Sequence, residues 1–313
     1  MTNSYKPEGY IIDTPENKEH LSCISGLEYA MGAGLILEAR AVLCDSRHRL
    51  VVELGEYKGI IPKEEAAYST DGSEIRDIAV ITRVGKPVCF KIKSIIMTES
   101  GPEIILSRRL AQYECFEKYV SRLECGTVID AKITHIEPFG AFCDIGCGIV
   151  SLLPVDCISV SRITGPSERF VPGDSIKAAV KTKDEGTGRI SLTHKELLGT
   201  WEENASAFSP GETAAGIVRS VEPYGIFVEL APNLAGLAEW CENVYPGQNA
   251  AVYIKSIIPE KMKIKLVIVD SHFSDSPRKK LQYFISDGKI EYWRYSPENC
   301  DREIVTDFTA EQG

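Results

Sequence analysis

The feature that most constrains this chain is an internal repeat. Residues 126–145, GTVIDAKITHIEPFGAFCDI, align without a gap against residues 211–230, GETAAGIVRSVEPYGIFVEL, at an offset of 85. The shared positions are a leading glycine, Glu-Pro, aromatic-Gly, Phe, and an acid followed by an aliphatic. A weaker copy, GLILEARAVLCDSRHRLVVELG, begins at Gly34. Three copies of one unit fill most of the 313 residues, so the fold of the unit fixes the architecture of the chain.

Each copy reads as strands. In the middle copy Ile129, Ala131 and Ile133 alternate with Asp130, Lys132 and Thr134, the period-two pattern of a half-buried strand. Phe139 to Ile145, Ile149 to Leu153, Ser175 to Lys181 and Arg189 to Thr193 follow as further strands separated by turn residues. Five short strands in about 70 residues imply a small closed barrel, because a flat sheet of that size leaves one apolar face uncovered.

Between copies the period becomes helical. Tyr113, Phe116 and Val120 fall at i, i+3 and i+7, and Leu197 and Trp201 at i and i+4, predicting linker helices over 113–124 and 194–208 with one face packed on a barrel. The expected units are barrels over 29–112, 125–193 and 209–270. A polar, flexible segment over 1–28 is expected, as is a small C-terminal β-hairpin over 271–313. The hairpin signal is Asp287-Gly288, which would set Ile285 opposite Ile290 and Tyr283 opposite Tyr292, with the aromatics docked on the third barrel.

Composition excludes several function classes. Charged residues interrupt every stretch of about 18, and the opening MTNSYKPEGYIIDTPENKEH has no apolar run, so neither a spanning helix nor a secretory leader is expected and a cytoplasmic location is. The ten cysteines read as reduced thiols, and Cys143 with Cys147 lacks the second pair or His cluster of a zinc site; no metal or cofactor is expected. No phosphate-cradling loop, nucleophile triad or paired carboxylate is visible, so the chain reads as non-enzymatic, without a small-molecule substrate. A net charge of −10 argues against strong duplex DNA binding. Residues 125–198 are nearly neutral, with eight Lys and Arg against nine Asp and Glu, so local basic positions there can face a polyanion.

A five-stranded barrel whose second strand opens aromatic-Gly-x-Phe resembles the RNA-binding repeat of bacterial ribosomal protein S1. The middle copy carries the resemblance through Gly126, Phe139-Gly140-Ala141-Phe142, Ser151-Leu152-Leu153-Pro154, Arg162 to Pro166, Val171-Pro172-Gly173-Asp174 and Gly188-Arg189-Ile190-Ser191-Leu192. The third copy carries it through Tyr224-Gly225-Ile226-Phe227 and Val244-Tyr245-Pro246-Gly247, and the first through Gly59-Ile60-Ile61-Pro62 and Val84-Gly85-Lys86-Pro87. The resemblance covers roughly residues 30–270. It implies an all-β-dominated chain of three tandem OB-fold barrels joined by short helices, binding single-stranded RNA in translation, with messenger RNA and the small ribosomal subunit as partners.

Stacking on exposed aromatic rings holds single-stranded bases without sequence preference. The expected RNA contacts are therefore the rings Phe139 and Phe142, with Lys132 on the outward face of the first strand, Asp184 and Arg189 at positions that the resemblance implies contact the nucleic acid, and in the third copy Tyr224, Phe227 and Lys263. Either ring of the middle pair could instead be core, and Lys132 could be merely solvated. Positions i and i+3 of a regular strand face opposite ways, so the two rings share a surface only if the chain coils or bulges near Gly140. The third-strand position where relatives carry a contacting His holds Pro154, with Pro62 and Glu239 in the flanking copies. Two other functions fit the same residues: a tandem-repeat RNA-binding regulator not stably on the ribosome, and a protein-binding adaptor.

Overall fold

The computed structural model describes residues 5–69, 72–99, 101–184, 186–274 and 281–309. Three closed five-stranded barrels follow one another. The first is built from β1 (Leu37–Cys44), β2 (Leu50–Leu54), β3 (Tyr57–Ile61), β4 (Pro87–Thr98) and β5 (Gly101–Ser107). The second comprises β6 (Val128–Glu137), β7 (Gly140–Asp144), β8 (Val150–Pro154), β9 (Ser175–Lys183) and β10 (Ile190–Thr193). The third comprises β11 (Thr213–Glu222), β12 (Gly225–Ala231), β13 (Leu234–Ala238), β14 (Asn249–Ile258) and β15 (Lys263–His272). In each, strands pair in the order one-two-three-five-four and four closes back on one. The third and fifth strands run parallel and every other pair antiparallel, which is the OB-fold topology.

Each barrel encloses alternate side chains of its strands. Ile129, Ala131, Ile133, Ala141, Cys143, Leu153 and Ile176 fill the second, and Val218, Ile226, Val228, Leu234, Val252 and Leu266 the third. All ten cysteines are free thiols, and Cys143 and Cys147 belong to the second core.

After α3 (Asp77–Ile81), a short helix between β3 and β4, the connecting helices are α4 (Arg108–Lys118) and α5 (Trp201–Ala205), the latter opened by a capping box between Thr200 and Glu203. Leu197 and Trp201 are buried as their spacing predicts. On α4 the buried face is instead Arg108, Ala111, Gln112 and Cys115, and Tyr113 is 48% exposed. Hydrophobicity misplaces this face because two of its polar members serve buried partners. Arg108 forks onto Glu8 at 2.7 and 3.0 Å, and the Gln112 amide donates to the Cys147 carbonyl at 3.0 Å.

The expectation of a flexible segment over 1–28 is corrected from residue 5 onward; residues 1–4 lie outside the described residues. Two helices, α1 (Pro15–Leu21) and α2 (Ile24–Ala33), precede the first barrel, and α2 ends on Gly34 in the left-handed conformation. Ahead of them residues 5–12 are wedged between the first two barrels. The Glu8 carboxylate lies buried against Arg108, Cys89 N–H and, at 3.7 Å, Arg83, while its own N–H donates to Asp144 at 2.7 Å. Burial opposes ionisation of Glu8, but the Arg108 guanidinium outweighs it and holds the carboxyl below its ordinary range. Asp144 is pushed up to about 7 by burial and then by the Glu8 charge.

The Asp-Gly hairpin is also corrected. The Gly288 carbonyl accepts from Val128 N–H, and Ile290 N–H donates to the Gly126 carbonyl, so this stretch lies along the start of β6 instead of folding back on itself. Tyr292 pairs with Asp307, in the two-stranded sheet of β16 (Tyr292–Arg294) and β17 (Val305–Asp307). Tyr283 reaches His194. Ile290, Trp293, Tyr295 and Phe308 join the core of the third barrel, so the extension spans the second barrel, the linker and the third. The remainder of the extension, 275–280 and 310–313, lies outside the described residues.

Candidate nucleic-acid interface

The outer face of the second barrel is set by one irregularity. The β6–β7 register shifts between Ile133 and His135, so Thr134 is the extra residue of a β-bulge. Without it His135 would follow Ile129, Ala131 and Ile133 into the core. With it His135 turns outward opposite Phe142, and Thr134 Oγ1 ties the bulge by donating to the Phe142 carbonyl at 3.0 Å. Of the two ways expected to bring the rings to one surface, the chain uses a turn just ahead of Gly140 and not a bulge at it. Phe139 lies in the turn before β7, and Gly140 serves close approach: a Cβ there would stand 2.7 Å from the Leu153 carbonyl oxygen.

Pairing carries this position across the sheet as a row, His135–Phe142–Leu152–Ser191–Thr182, none of whose members is buried. The Phe142 ring stacks on His135 at 6.2 Å and 22°, and Phe139 meets it edge-on at 6.1 Å and 89°. Phe139 is 56% exposed, so this ring is not core. His135, whose Nε2 lies 2.7 Å from Glu137, is a member of this exposed ring cluster that period-two reading misses. The signal for it is a polar residue at a core-parity position just before a turn.

Arg189 is exposed two residues before Ser191 on this face. Asp184 shapes the turn that presents it, accepting from Thr187 N–H at 2.7 Å and Thr187 Oγ1 at 2.9 Å. These bonds, with a smaller contribution from Arg189, hold its carboxyl below the usual range. Lys132 is removed from the set: it is half-buried and donates to the Glu8 carbonyl at 2.9 Å, which fixes the N-terminal segment to β6. Lys177 pairs with Asp130, Lys181 reaches Cys157 and Lys183 reaches the Ser121 and Leu123 carbonyls, so these cations also serve the fold.

The third barrel repeats the construction. Its bulge falls at Arg219 and its row is Ser220–Phe227–Leu237–Lys265–Ser256. Tyr224, 69% exposed, meets Phe227 edge-on at 6.2 Å and 84°, the geometry of Phe139 and Phe142. Gly225 again allows close approach, with a Cβ position 2.6 Å from the Ala238 carbonyl oxygen. Lys263 is exposed at the Arg189 position, and Lys265, missed by sequence, is exposed at the Ser191 position. In the first barrel the bulge is kept at Val42, but the row reads Leu43–Val51–Ile60–Ile105–Ser94, and Glu103 takes the Arg189 position.

A family model described as S1 RNA binding domain matches residues 122–195, the whole second barrel with its approach. The chain is 31% identical over 235 residues to the small ribosomal subunit protein bS1 of Staphylococcus aureus, an alignment covering 70% of this chain and 58% of that protein. The second barrel belongs to the S1 RNA-binding domain family. Its likeness to bS1 of Rhizobium meliloti is 30% over 276 residues, 78% of this chain and 48% of the relative. To the bS1 homolog of Bacillus cereus it is 29% over 281 residues, covering 84% and 68%. The chain thus spans about half the length of the first two relatives. Among solved structures, a multidomain protein with nucleic acid binding domains from Streptococcus pneumoniae matches at 14% identity and TM-score 0.26, covering 77% of this chain and 75% of that one. GSP13 from Bacillus subtilis matches at 22% and 0.23, covering 33% and 67%. Among the described residues no helix is long and apolar enough to cross a membrane, and no group of three His, Cys, Asp or Glu could hold a metal ion.

Proposed function

We propose that the chain binds single-stranded RNA in translation, stacking bases on the outer faces of its second and third barrels. The observation that carries this is the recurrence of one ring geometry, Phe139 on Phe142 and Tyr224 on Phe227, on exposed faces 85 residues apart. Paired aromatic rings beside Arg189 or Lys263 offer a base a surface and its phosphate a cation. The family supplies the setting: messenger RNA is the proposed ligand and the small ribosomal subunit the proposed partner. Holding RNA is the whole of the proposed activity, without catalysis.

A second reading applies to the first barrel, where the corresponding row is aliphatic and Leu43 is 53% exposed. Such a face suits a protein contact better than a polyanion, so an adaptor role is proposed for that barrel alone. Titration of a labelled single-stranded RNA with the full chain, paired with ribosome co-sedimentation through a sucrose gradient, tests both. Micromolar or tighter RNA binding is expected, and absence of binding at low salt overturns the RNA reading. Co-sedimentation separates a ribosome-attached protein from a free RNA-binding regulator.

A further inference from the structure

Between the second and third barrels lies a cavity of about 280 Å³. One wall is the third barrel's aromatic face, with Ser220, Tyr224, Phe227 and Ala235. The other is the β8–β9 loop of the second barrel, with Ser161 and Arg162. The volume sits near the lower end of small-ligand pockets, roughly 300 Å³.

The loop is held in place by charge. Arg169 of the second barrel and Arg219 of β11 both grip Glu229 of β12, at 2.5 Å from Arg169 and 2.9 and 3.0 Å from Arg219. Arg219 also reaches Glu168 at 2.6 Å, and Glu168 accepts from the N–H of Thr164, two residues beyond Arg162. Val160 N–H donates to Asn233 Oδ1 at 2.9 Å, and the Asn233 amide donates to the carbonyls of Lys195 and Gly199. Anchored on both sides, Ser161 and Arg162 have a fixed position against the rings of the next barrel.

Two features of the wall point to a ligand. Arg162 is exposed and makes no ion pair with a described residue, although carboxylates at Glu168 and Glu222 also line the cavity. Ser161 is 8% exposed, and its hydroxyl has no hydrogen-bond partner among the described residues. Leaving a buried hydroxyl unpaired is unfavourable, and a hydrogen bond from a ligand would recover part of that cost. Rings, a hydroxyl and a guanidinium around one opening match a base, its polar edge and a phosphate.

Resting on the RNA-binding reading above, we propose that this cavity is a composite nucleotide subsite: a base stacks on Tyr224 and Phe227 while Arg162, lent by the preceding barrel, takes its phosphate. The third barrel's site is then complete only beside the second.

The test is a double-mutant cycle in the full chain, read by fluorescence anisotropy with a labelled oligouridylate. Tyr224→Ala is expected to weaken binding by about 5- to 100-fold, the range of one lost stacking contact. Arg162→Ala is expected to weaken it by about 3- to 10-fold, as for a charge-assisted contact, and Arg162→Lys to restore part of the loss. In the Tyr224→Ala background the effect of Arg162→Ala should vanish, and in the Phe142→Ala background it should persist. An unchanged affinity for Arg162→Ala, equal losses in both backgrounds, or a loss that vanishes only with Phe142→Ala overturns the composite site while leaving RNA binding in place. If the unaltered chain does not bind the oligouridylate, or none of the ring substitutions matters, the RNA reading itself has failed.

Discussion

Arg169, in the loop that precedes β9 of the second barrel, and Glu229, on β12 of the third, form an ion pair of 2.5 Å with both side chains less than a tenth exposed. The pair joins two barrels that, among the described residues, have no strand pairing with each other. Removing one member of a buried pair leaves the other charge uncompensated, which typically costs about 3–5 kcal/mol. Glu229→Ala strands Arg169, while Arg219 keeps Glu168 at 2.6 Å, and is expected to lower stability by about that amount. Urea unfolding followed by circular dichroism measures it. A loss below about 1 kcal/mol would mean that the junction is solvated.

The rings of the second barrel should separate binding from stability. Phe139 is more than half exposed, so Phe139→Ala is expected to cost about 1–3 kcal/mol of RNA affinity with little change in melting temperature. Phe142 is half-buried and stacked on His135, so its removal should cost a comparable affinity and some stability. His135→Ala should show a smaller loss of the same kind. Affinity unchanged in all three, with folding intact, contradicts the stacking platform.

Salt dependence follows from which cations are already engaged. Lys132, Lys177, Lys181 and Lys183 bind carbonyls, a carboxylate and a thiol of their own chain, leaving Arg189, Lys263 and Lys265 as exposed cations on the two faces, with Arg162 beside the third barrel's rings. Neutralising about two to four phosphates gives a log–log slope of roughly −1.5 to −3 for a single strand. A measured slope steeper than about −6 would reveal a basic track elsewhere on the surface.

Acid should loosen the C-terminal extension through His194. Burial holds this imidazole down at about 4, Nδ1–H donates to the Ile158 carbonyl at 2.9 Å, and Nε2 accepts from the Tyr283 hydroxyl at 3.2 Å. Protonation would place a charge in an apolar site and two donors face to face at Nε2. A folded value below the unfolded one contributes stability that is full above about 6.5 and is lost as pH falls towards about 4, by up to roughly 3 kcal/mol. Melting temperatures across that window should fall in the native chain and fall less in His194→Gln. Parallel curves for the two proteins would assign the acid sensitivity to other groups.

How legible all this was in the sequence depends on the range of the interactions. Strand alternation, the three barrels and the aromatic-Gly-x-Phe rings are local or repeated, and Arg189, Lys263 and Glu103 stand at the face positions that repeat alignment gave them. His135 was hidden because a one-residue bulge inverts parity, and its one mark in the sequence is a single polar residue at a core-parity position. Glu8 with Arg108, 100 residues apart, and Tyr283 with His194, 89 apart, are long-range pairs of polar residues that composition assigns to solvent. The Asp287-Gly288 turn signal lost to backbone pairing with Gly126 and Val128, partners that no local pattern names.

The first barrel supplies the control for the whole reading. It keeps the topology and the bulge of its neighbours, yet its row carries Leu43, Val51, Ile60 and Ile105 where the second carries His135, Phe142, Leu152 and Ser191. Glu103 replaces Arg189, so both stacking and phosphate attraction are withdrawn from a face of the same shape. Because residues 5–12 and α4 pack between the first two barrels, the comparison belongs in the full chain and not in excised barrels. Val51→Ala should leave affinity for single-stranded RNA unchanged, whereas Phe142→Ala and Phe227→Ala, at the equivalent positions, should each lower it by about 1–3 kcal/mol. Glu103→Arg should raise affinity only slightly, since a cation without a stacking ring gains one screened phosphate contact. A loss for Val51→Ala as large as that for Phe142→Ala would show that shape, not ring chemistry, selects the RNA, and would move the contact surface away from the aromatic faces.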